Sequence, residues 1–193
     1  DHKNGRPVGG LTAMSVFSFY ATKLIAAGEG GMVATSDRTL RDRVVALREY
    51  DKRDTWRPAF NFKLSEVHAA LALTQLHALP KMLRLRKAVA GRYRTLLSCG
   101  AVRLPPDDQA VYYRFVVRLA QAIRPIMATL RATGIECGPP VYKPLHWYLK
   151  LPGFPGAEQF HTTALSLPMH PGLTAKETTT VAQTLYRLTK GGP

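Results

Sequence analysis

The chain has 193 residues, enough for one substantial domain or two small ones, and its 46% apolar content excludes a disordered chain. Twenty-seven Lys and Arg against 13 Asp and Glu give a net charge of +14, which favours anionic partners such as nucleic acid, acidic membranes or phosphorylated metabolites. No run is long and apolar enough to cross a bilayer, and the polar opening Asp1-His2-Lys3-Asn4-Gly5-Arg6 lacks the apolar core of a secretion signal, so the cytoplasm is the expected location.

In chain order, residues 1–14 read as loop and turn, punctuated by Gly5, Pro7, Gly9 and Gly10. Residues 15–20 and 31–35 read as short buried strands around a polar loop. Ser36 or Asp37 caps a helix from Arg38 to about Tyr50, with Leu40, Val44, Val45 and Leu47 as its buried side. A polar and aromatic loop, 51–63, follows. A helix then starts near Ser65, with Glu66 in its first turn, and runs to Leu79. Pro80 is expected to interrupt it, and a second helix continues to about Cys99, with Gly100 as its stop. Tyr113, Phe115, Val117 and Leu119 alternate with Arg114 and Arg118 as in a half-exposed strand. Residues 122–133 form a helix closed by Gly134. Residues 135–173 are short strands and loops with one helix near 156–165. The last helix opens with a capping box, Thr174 and Glu177. The change of character after Gly100 places a domain boundary near 95–105.

From Val67 to Pro106 there is no acid, yet seven Lys or Arg occur. Most of them read as a solvated helix face around the apolar stripe Met82, Leu85, Val89, Tyr93 and Leu96. Cys99 and Cys137 have no ligand spacing around them and read as ordinary reduced thiols, and no metal site is indicated.

The chemistry concentrates in Ser18-Phe19-Tyr20-Ala21-Thr22-Lys23, followed by Gly28-Glu29-Gly30-Gly31. A lysine held between buried strands loses water from its ammonium group, which frees the amine as a nucleophile toward a carbonyl. A hydroxyl five residues earlier, on Ser18, is placed to donate to an anion. On their own these residues are also compatible with a solvated lysine, a strand serine and, at Asn61, a turn former.

The combination resembles the DegT/DnrJ/StrS family of sugar aminotransferases, in which Ser-Phe-x-x-Thr-Lys and Gly-Glu-Gly-Gly mark the pyridoxal-phosphate attachment site. Phe60-Asn61-Phe62-Lys63-Leu64-Ser65-Glu66 is similar to its Tyr-Asn-x-x-Met-Ser-Glu segment. Ala69-Ala70 with Gln75-Leu76, and Leu165-Ser166-Leu167-Pro168 through Pro171, Leu173 and Thr174, match further motifs in the right order. The resemblance implies an α/β fold, the C-terminal part of a fold type I (aspartate aminotransferase-like) transferase. Residues 1–100 would be the remainder of the large cofactor-binding domain, including the lysine loop, and 101–193 a small α+β domain. It further implies pyridoxal 5′-phosphate as cofactor and Lys23 as the residue of the internal aldimine and the proton shuttle. Ser18 becomes a phosphate donor, and Asn61 a donor reaching the neighbouring subunit's cofactor in a homodimer. His146, in Pro144-Leu145-His146, approaches the substrate side, while His170 and His146 both suit binding or packing better than catalysis. The implied reaction moves an amino group from glutamate or glutamine to a keto-sugar carried on a nucleotide. Retention of Lys23 favours transfer over the related dehydratases, which have histidine there.

The chain also departs from the pattern. Members are about twice as long, and their N-terminal half carries a glycine phosphate loop, a ring-stacking aromatic and an Asp-x-x-His or Asp-x-x-Gln motif for the pyridine nitrogen. The opening residues instead match a Tyr-Lys-Gly-Arg-x-Val-Gly segment that follows that motif. Asp1 is too close to Lys23 to be the missing aspartate. A C-terminal fragment, half of a split enzyme completed by another chain, and a degenerate paralogue all fit, and each predicts poor activity for this chain alone and exposed apolar faces. The competing expectation is a non-catalytic basic module that pairs with a full-length partner or binds nucleic acid. The scatter of the basic residues and the lack of interleaved aromatics argue against nucleic acid.

Overall fold

A computed structural model describes residues 2–3, 5–51, 53–98, 102–106 and 110–190, so the sequence readings on Asp1, Cys99 and Gly100 lie outside the described residues. The chain divides into two compact units, Asp1–Pro80 and Lys81–Pro193.

In the first unit, β1 (His2–Lys3) pairs antiparallel with β2 (Arg6–Pro7) across Gly5, and a single 3₁₀ turn follows over Val8–Gly10. Strand β3 (Ser15–Ser18) pairs antiparallel with β4 (Gly31–Ala34), Ser15 opposite Ala34 and Ser18 opposite Gly31. Helix α1 (Arg38–Arg48) is capped by Asp37, whose Oδ1 accepts from the Thr39 and Leu40 amides at 2.7 and 3.2 Å. The expected elements are present, but their expected burial is not. Val16 is 76% exposed, no residue of α1 is buried, and among the described residues of this unit Ala27 is the one buried apolar residue. A two-stranded ribbon and one helix cannot enclose a core. Their apolar sides instead line an open cleft of about 740 Å³ formed by Val16, Met32, Val33, Val44, Phe60 and Phe62, among others.

Helix α2 (Glu66–Leu97) runs without a break through Pro80, which corrects the expected interruption. Proline removes one backbone donor, but the flanking Ala, Leu, Met, Lys and Arg residues are good helix formers and carry the helix past it. The division into units falls at this proline and not near residue 100. The reason is that the later part of α2 buries Val89, Ala90, Tyr93 and Leu97 in the core of the second unit.

That core is built on β5 (Phe115–Arg118) and β6 (Ala164–Leu167), antiparallel with Phe115 opposite Leu167. Isolated bridges from Arg103 to Arg118 and from Gly138 to Ser166 widen this sheet on both sides. The expected alternation holds: Phe115 and Val117 are buried, Val116 and Arg118 half-buried. Helices α3 (Ile123–Ala132) and α6 (Ala175–Lys190) contribute Ile126, Leu130, Val181 and Leu185, while the short α4 (Leu145–Tyr148) and α5 (Pro155–Thr163) form the connection before β6. Helix α3 ends in a left-handed Gly134 with φ of 80°, and the Gly134 and Ile135 amides satisfy the Arg131 and Leu130 carbonyls. The capping box of α6 forms as read: Glu177 Oε2 accepts from the Thr174 amide and hydroxyl at 2.8 and 2.7 Å, and the Glu177 amide donates to Thr174 Oγ1 at 3.2 Å.

Of the basic residues of α2, Lys81, Arg84 and Lys87 are exposed as a solvated face requires, whereas Arg86, Arg92 and Arg94 are half-buried and bonded. Arg86 Nη1 donates to the Tyr112, Tyr113 and Met169 carbonyls, Arg92 Nη2 to Leu173, and Arg94 Nη2 to Pro105 and Pro106. Tyr93, between them, is fully buried, donates its hydroxyl to the Pro168 carbonyl at 3.0 Å and has its phenol pushed well up by burial. Arginines here supply charged donors to loop carbonyls.

Candidate active site

Ser18 ends β3 and Lys23 sits in the turn that follows, so one hairpin connection carries both. Three backbone bonds close that connection. Phe19 donates to Gly30 at 2.9 Å, Ala27 to Phe19 at 2.8 Å, and Lys23 to Tyr20 at 2.9 Å. The glycines answer to geometry. Gly28 and Gly30 have φ of 83° and 126°, where side chains other than hydrogen are strained. At Gly31 a Cβ would lie 2.8 Å from the Phe17 carbonyl oxygen, so the β3–β4 pairing requires glycine.

Ser18 Oγ accepts from the Tyr20 amide at 3.3 Å, a bond that does not use its own hydroxyl proton. The Lys23 side chain is exposed, as is Ser18. The desolvation expected from flanking buried strands is therefore not supplied by the described residues, because β3 and β4 are themselves open on their faces.

Asn61 lies in the same unit, on an extended segment docked along the C-terminal end of α1. Phe60 donates to the Leu47 carbonyl at 2.7 Å and Phe62 to Arg48 at 3.2 Å, and their rings stack at 4.9 Å. The two pinned neighbours hold the Asn61 backbone while its side chain stays exposed. Sequence reading missed what this segment does next. Leu64 Cδ1 lies 2.6 Å from where a Gly30 Cβ would be, and the His68 ring lies 3.5 Å from the same position on Gly28. The segment that bears Asn61 thus rests against the lysine turn. The signal was the pairing of a glycine-rich turn with a Leu-Ser-x-x-His helix start, visible in sequence but mute about contact.

His146 belongs to the second unit. It is buried, with Nε2 3.2 Å from Glu158 Oε1 and its ring stacked on Phe154 at 4.8 Å. It lines an apolar cavity of about 450 Å³ with Leu145, Leu149, Phe154 and Phe160. His170 is exposed beside the start of α6. Cys137 is a buried free thiol pushed up by burial, with Arg131 partly offsetting that shift.

An amine, a hydroxyl with a free proton and a neutral amide are the donor set that an aldehyde bearing a phosphate requires, so the residues present fit pyridoxal phosphate. The chain belongs to the DegT/DnrJ/EryC1/StrS aminotransferase family, whose sequence model matches residues 2–186. Pyridoxal phosphate is the cofactor of that family, and the α/β fold is that of the C-terminal part of its members.

Among relatives, the chain is 28% identical to the spore coat polysaccharide biosynthesis protein SpsC of Bacillus subtilis (strain 168), covering 96% of this chain and 56% of SpsC. It is 31% identical to a GDP-perosamine synthase of Caulobacter vibrioides, covering 88% of this chain and 51% of that enzyme. Among solved structures, S. venezuelae DesV superposes with a TM-score of 0.86 at 29% identity, over 98% of this chain and 55% of DesV. Helicobacter pylori PseC shares the fold, with a TM-score of 0.89 at 24% identity, over 99% of this chain and 57% of PseC. The chain spans about half the length of the curated relatives it matches.

Proposed function

We propose that this chain is the lysine-bearing part of a pyridoxal-phosphate-dependent aminotransferase acting on a nucleotide-linked keto-sugar, with glutamate or glutamine as the amino donor. The observation that carries it is the closed turn around Lys23, with Ser18 at its entrance, in a chain matched to the family from residue 2 to residue 186. The substrate class is supported by relatives named for nucleotide sugars: GDP-perosamine synthase and dTDP-3-amino-3,4,6-trideoxy-alpha-D-glucose transaminase.

Pyridoxal phosphate, when bound, supplies an aldehyde that takes up an amine and a ring that delocalises electrons. Lys23 Nζ then takes a proton and returns it at the reacting carbon. Ser18 Oγ–H donates to the phosphate. The Asn61 amide donates without adding charge, reaching the other protomer of a homodimer. His146, held by Glu158, is a substrate-binding residue by the family resemblance. Exposed Arg and Lys side chains offset the charge of a nucleotide diphosphate. The carboxylate for the ring nitrogen and the glycine phosphate loop come from polypeptide outside this sequence, which also covers the cleft of the first unit and strips water from Lys23. The assembled enzyme works in the cytoplasm.

A visible absorption band on adding pyridoxal phosphate, lost in Lys23→Ala, is the expected result. No band, together with salt-sensitive retention on DNA, would instead favour a basic binding module. The acid-free stretch from Val67 to Pro106 motivates that second reading. Three of its seven basic residues, Arg86, Arg92 and Arg94, are already committed to carbonyls.

A further inference from the structure

We infer that His68, oriented by Ser65, is a positioning residue for the lysine turn, coupling the start of α2 to the Ala27–Gly31 reversal. The role of the turn rests on the function proposed for Lys23. The contact itself does not.

Ser65 Oγ lies 2.7 Å from His68 Nδ1 and also accepts the His68 amide at 3.3 Å. The hydroxyl has a donor proton and a second lone pair, so it bonds Nδ1 in either imidazole tautomer. That bond tethers the ring at its Nδ1 edge. Its free edge, Cδ2 and Nε2, faces Gly28, 3.5 and 3.6 Å from the position a Cβ would take. Gly28 adjoins Ala27, the buried residue whose amide closes the turn onto Phe19. Leu64 covers Gly30 on the same side. Two side chains, Leu64 just before α2 and His68 in its first turn, therefore cover both left-handed glycines between Lys23 and β4. The segment that fixes Asn61 and the turn that bears Lys23 become one mechanical piece. A side chain at 68 that cannot bond Ser65 would leave the ring site empty or unoriented, and the turn would open more often.

The test uses the full chain and its His68→Ala, His68→Gln and Ser65→Ala variants. Amide hydrogen exchange is followed by mass spectrometry on a peptide spanning 19–31, with a peptide spanning 115–119 as the folding control. Loss of one hydrogen-bonded brace predicts about five- to tenfold faster exchange in 19–31 for His68→Ala, with 115–119 unchanged. Glutamine can accept from Ser65 and cover Gly28, so His68→Gln is expected to stay within about twofold of the parent, and Ser65→Ala to fall between. Unchanged exchange in 19–31 for both His68→Ala and Ser65→Ala would overturn the inference, as would equal loss of protection in both peptides. Borohydride trapping of pyridoxal phosphate, measured on the same variants assembled with the polypeptide that completes the site, is expected to slow at Lys23 in His68→Ala and recover in His68→Gln. If the parent traps nothing at Lys23 while exchange responds as stated, the brace stands and the cofactor reading fails.

Discussion

Replacing Arg86 with methionine should loosen the second unit while leaving its apolar core intact. The stem of the side chain is kept and the guanidinium removed. In the parent, one nitrogen reaches the Tyr112 and Met169 carbonyls at 3.1 Å each and Tyr113 at 3.4 Å. That nitrogen has two protons, so the two shorter bonds carry the energy. Burial pulls the guanidinium below its ordinary value, yet it remains charged at neutral pH, and Tyr113 works against the shift. A charged donor contributes about 1.5–3 kcal/mol per bond, and partial exposure of Arg86 discounts the pair to about 2–3 kcal/mol in total. The assay is urea unfolding followed by Trp147 fluorescence in a Trp56→Phe background, since Trp147 belongs to the second unit and Trp56 to the first. With a slope of about 2 kcal/mol/M, the midpoint should fall by roughly 1–1.5 M at unchanged slope. Arg86→Lys, a single-point donor, should recover about half of that shift. A methionine variant within about 0.25 M of the parent would refute the claim that these carbonyls depend on Arg86.

Other parts of the molecule give sharp expectations. Phe115→Ala removes a fully buried ring that packs against Tyr93 at 5.1 Å, and should cost about 3–5 kcal/mol in the same unfolding assay. Asp37→Ala removes the cap of α1 and should lower stability by about 1 kcal/mol, read as faster amide exchange at Thr39 and Leu40. The Glu177 carboxyl is held below its ordinary value by the Thr174 hydroxyl and then by the Thr174 amide, so the unfolded chain takes up that proton first. Its stabilisation is complete above the ordinary carboxylate range and is lost as pH falls through the lowered folded value. Glu177→Gln should therefore flatten the acid limb of the thermal midpoint against pH. Gly31→Ala drives a Cβ to 2.8 Å from the Phe17 carbonyl and should disrupt β3–β4, seen as reduced trapping of pyridoxal phosphate at Lys23.

Local signals were legible where the physics is local. Asp37 and Thr174–Glu177 announced helix starts through capping chemistry, and the alternation from Phe115 to Arg118 announced a half-buried strand. The order of Lys23, Asn61 and the Pro168–Thr174 segment carried the family resemblance. Burial in the first unit was not legible, because the hydrophobic alternation of Val16, Val33 and Val45 reports a face that wants covering and not whether this chain covers it. Pro80 misled because a missing donor costs one bond, whereas the long flanking runs favour helix. Arg92 and Arg94 read as solvent-facing because the carbonyls they serve lie outside the helix, 81 residues away for Leu173. His68 gave no signal of contact with Gly28 for the same reason.

Reductive trapping at position 23 tests the central claim most directly. Pyridoxal phosphate is added to this chain assembled with the polypeptide that completes the site, the mixture is reduced with borohydride, and the labelled peptide is sequenced. The pyridoxyl group is expected on Lys23 in preference to every other lysine, including the exposed Lys63 and Lys81. Label on another side chain, with Lys23 unmodified, would contradict it.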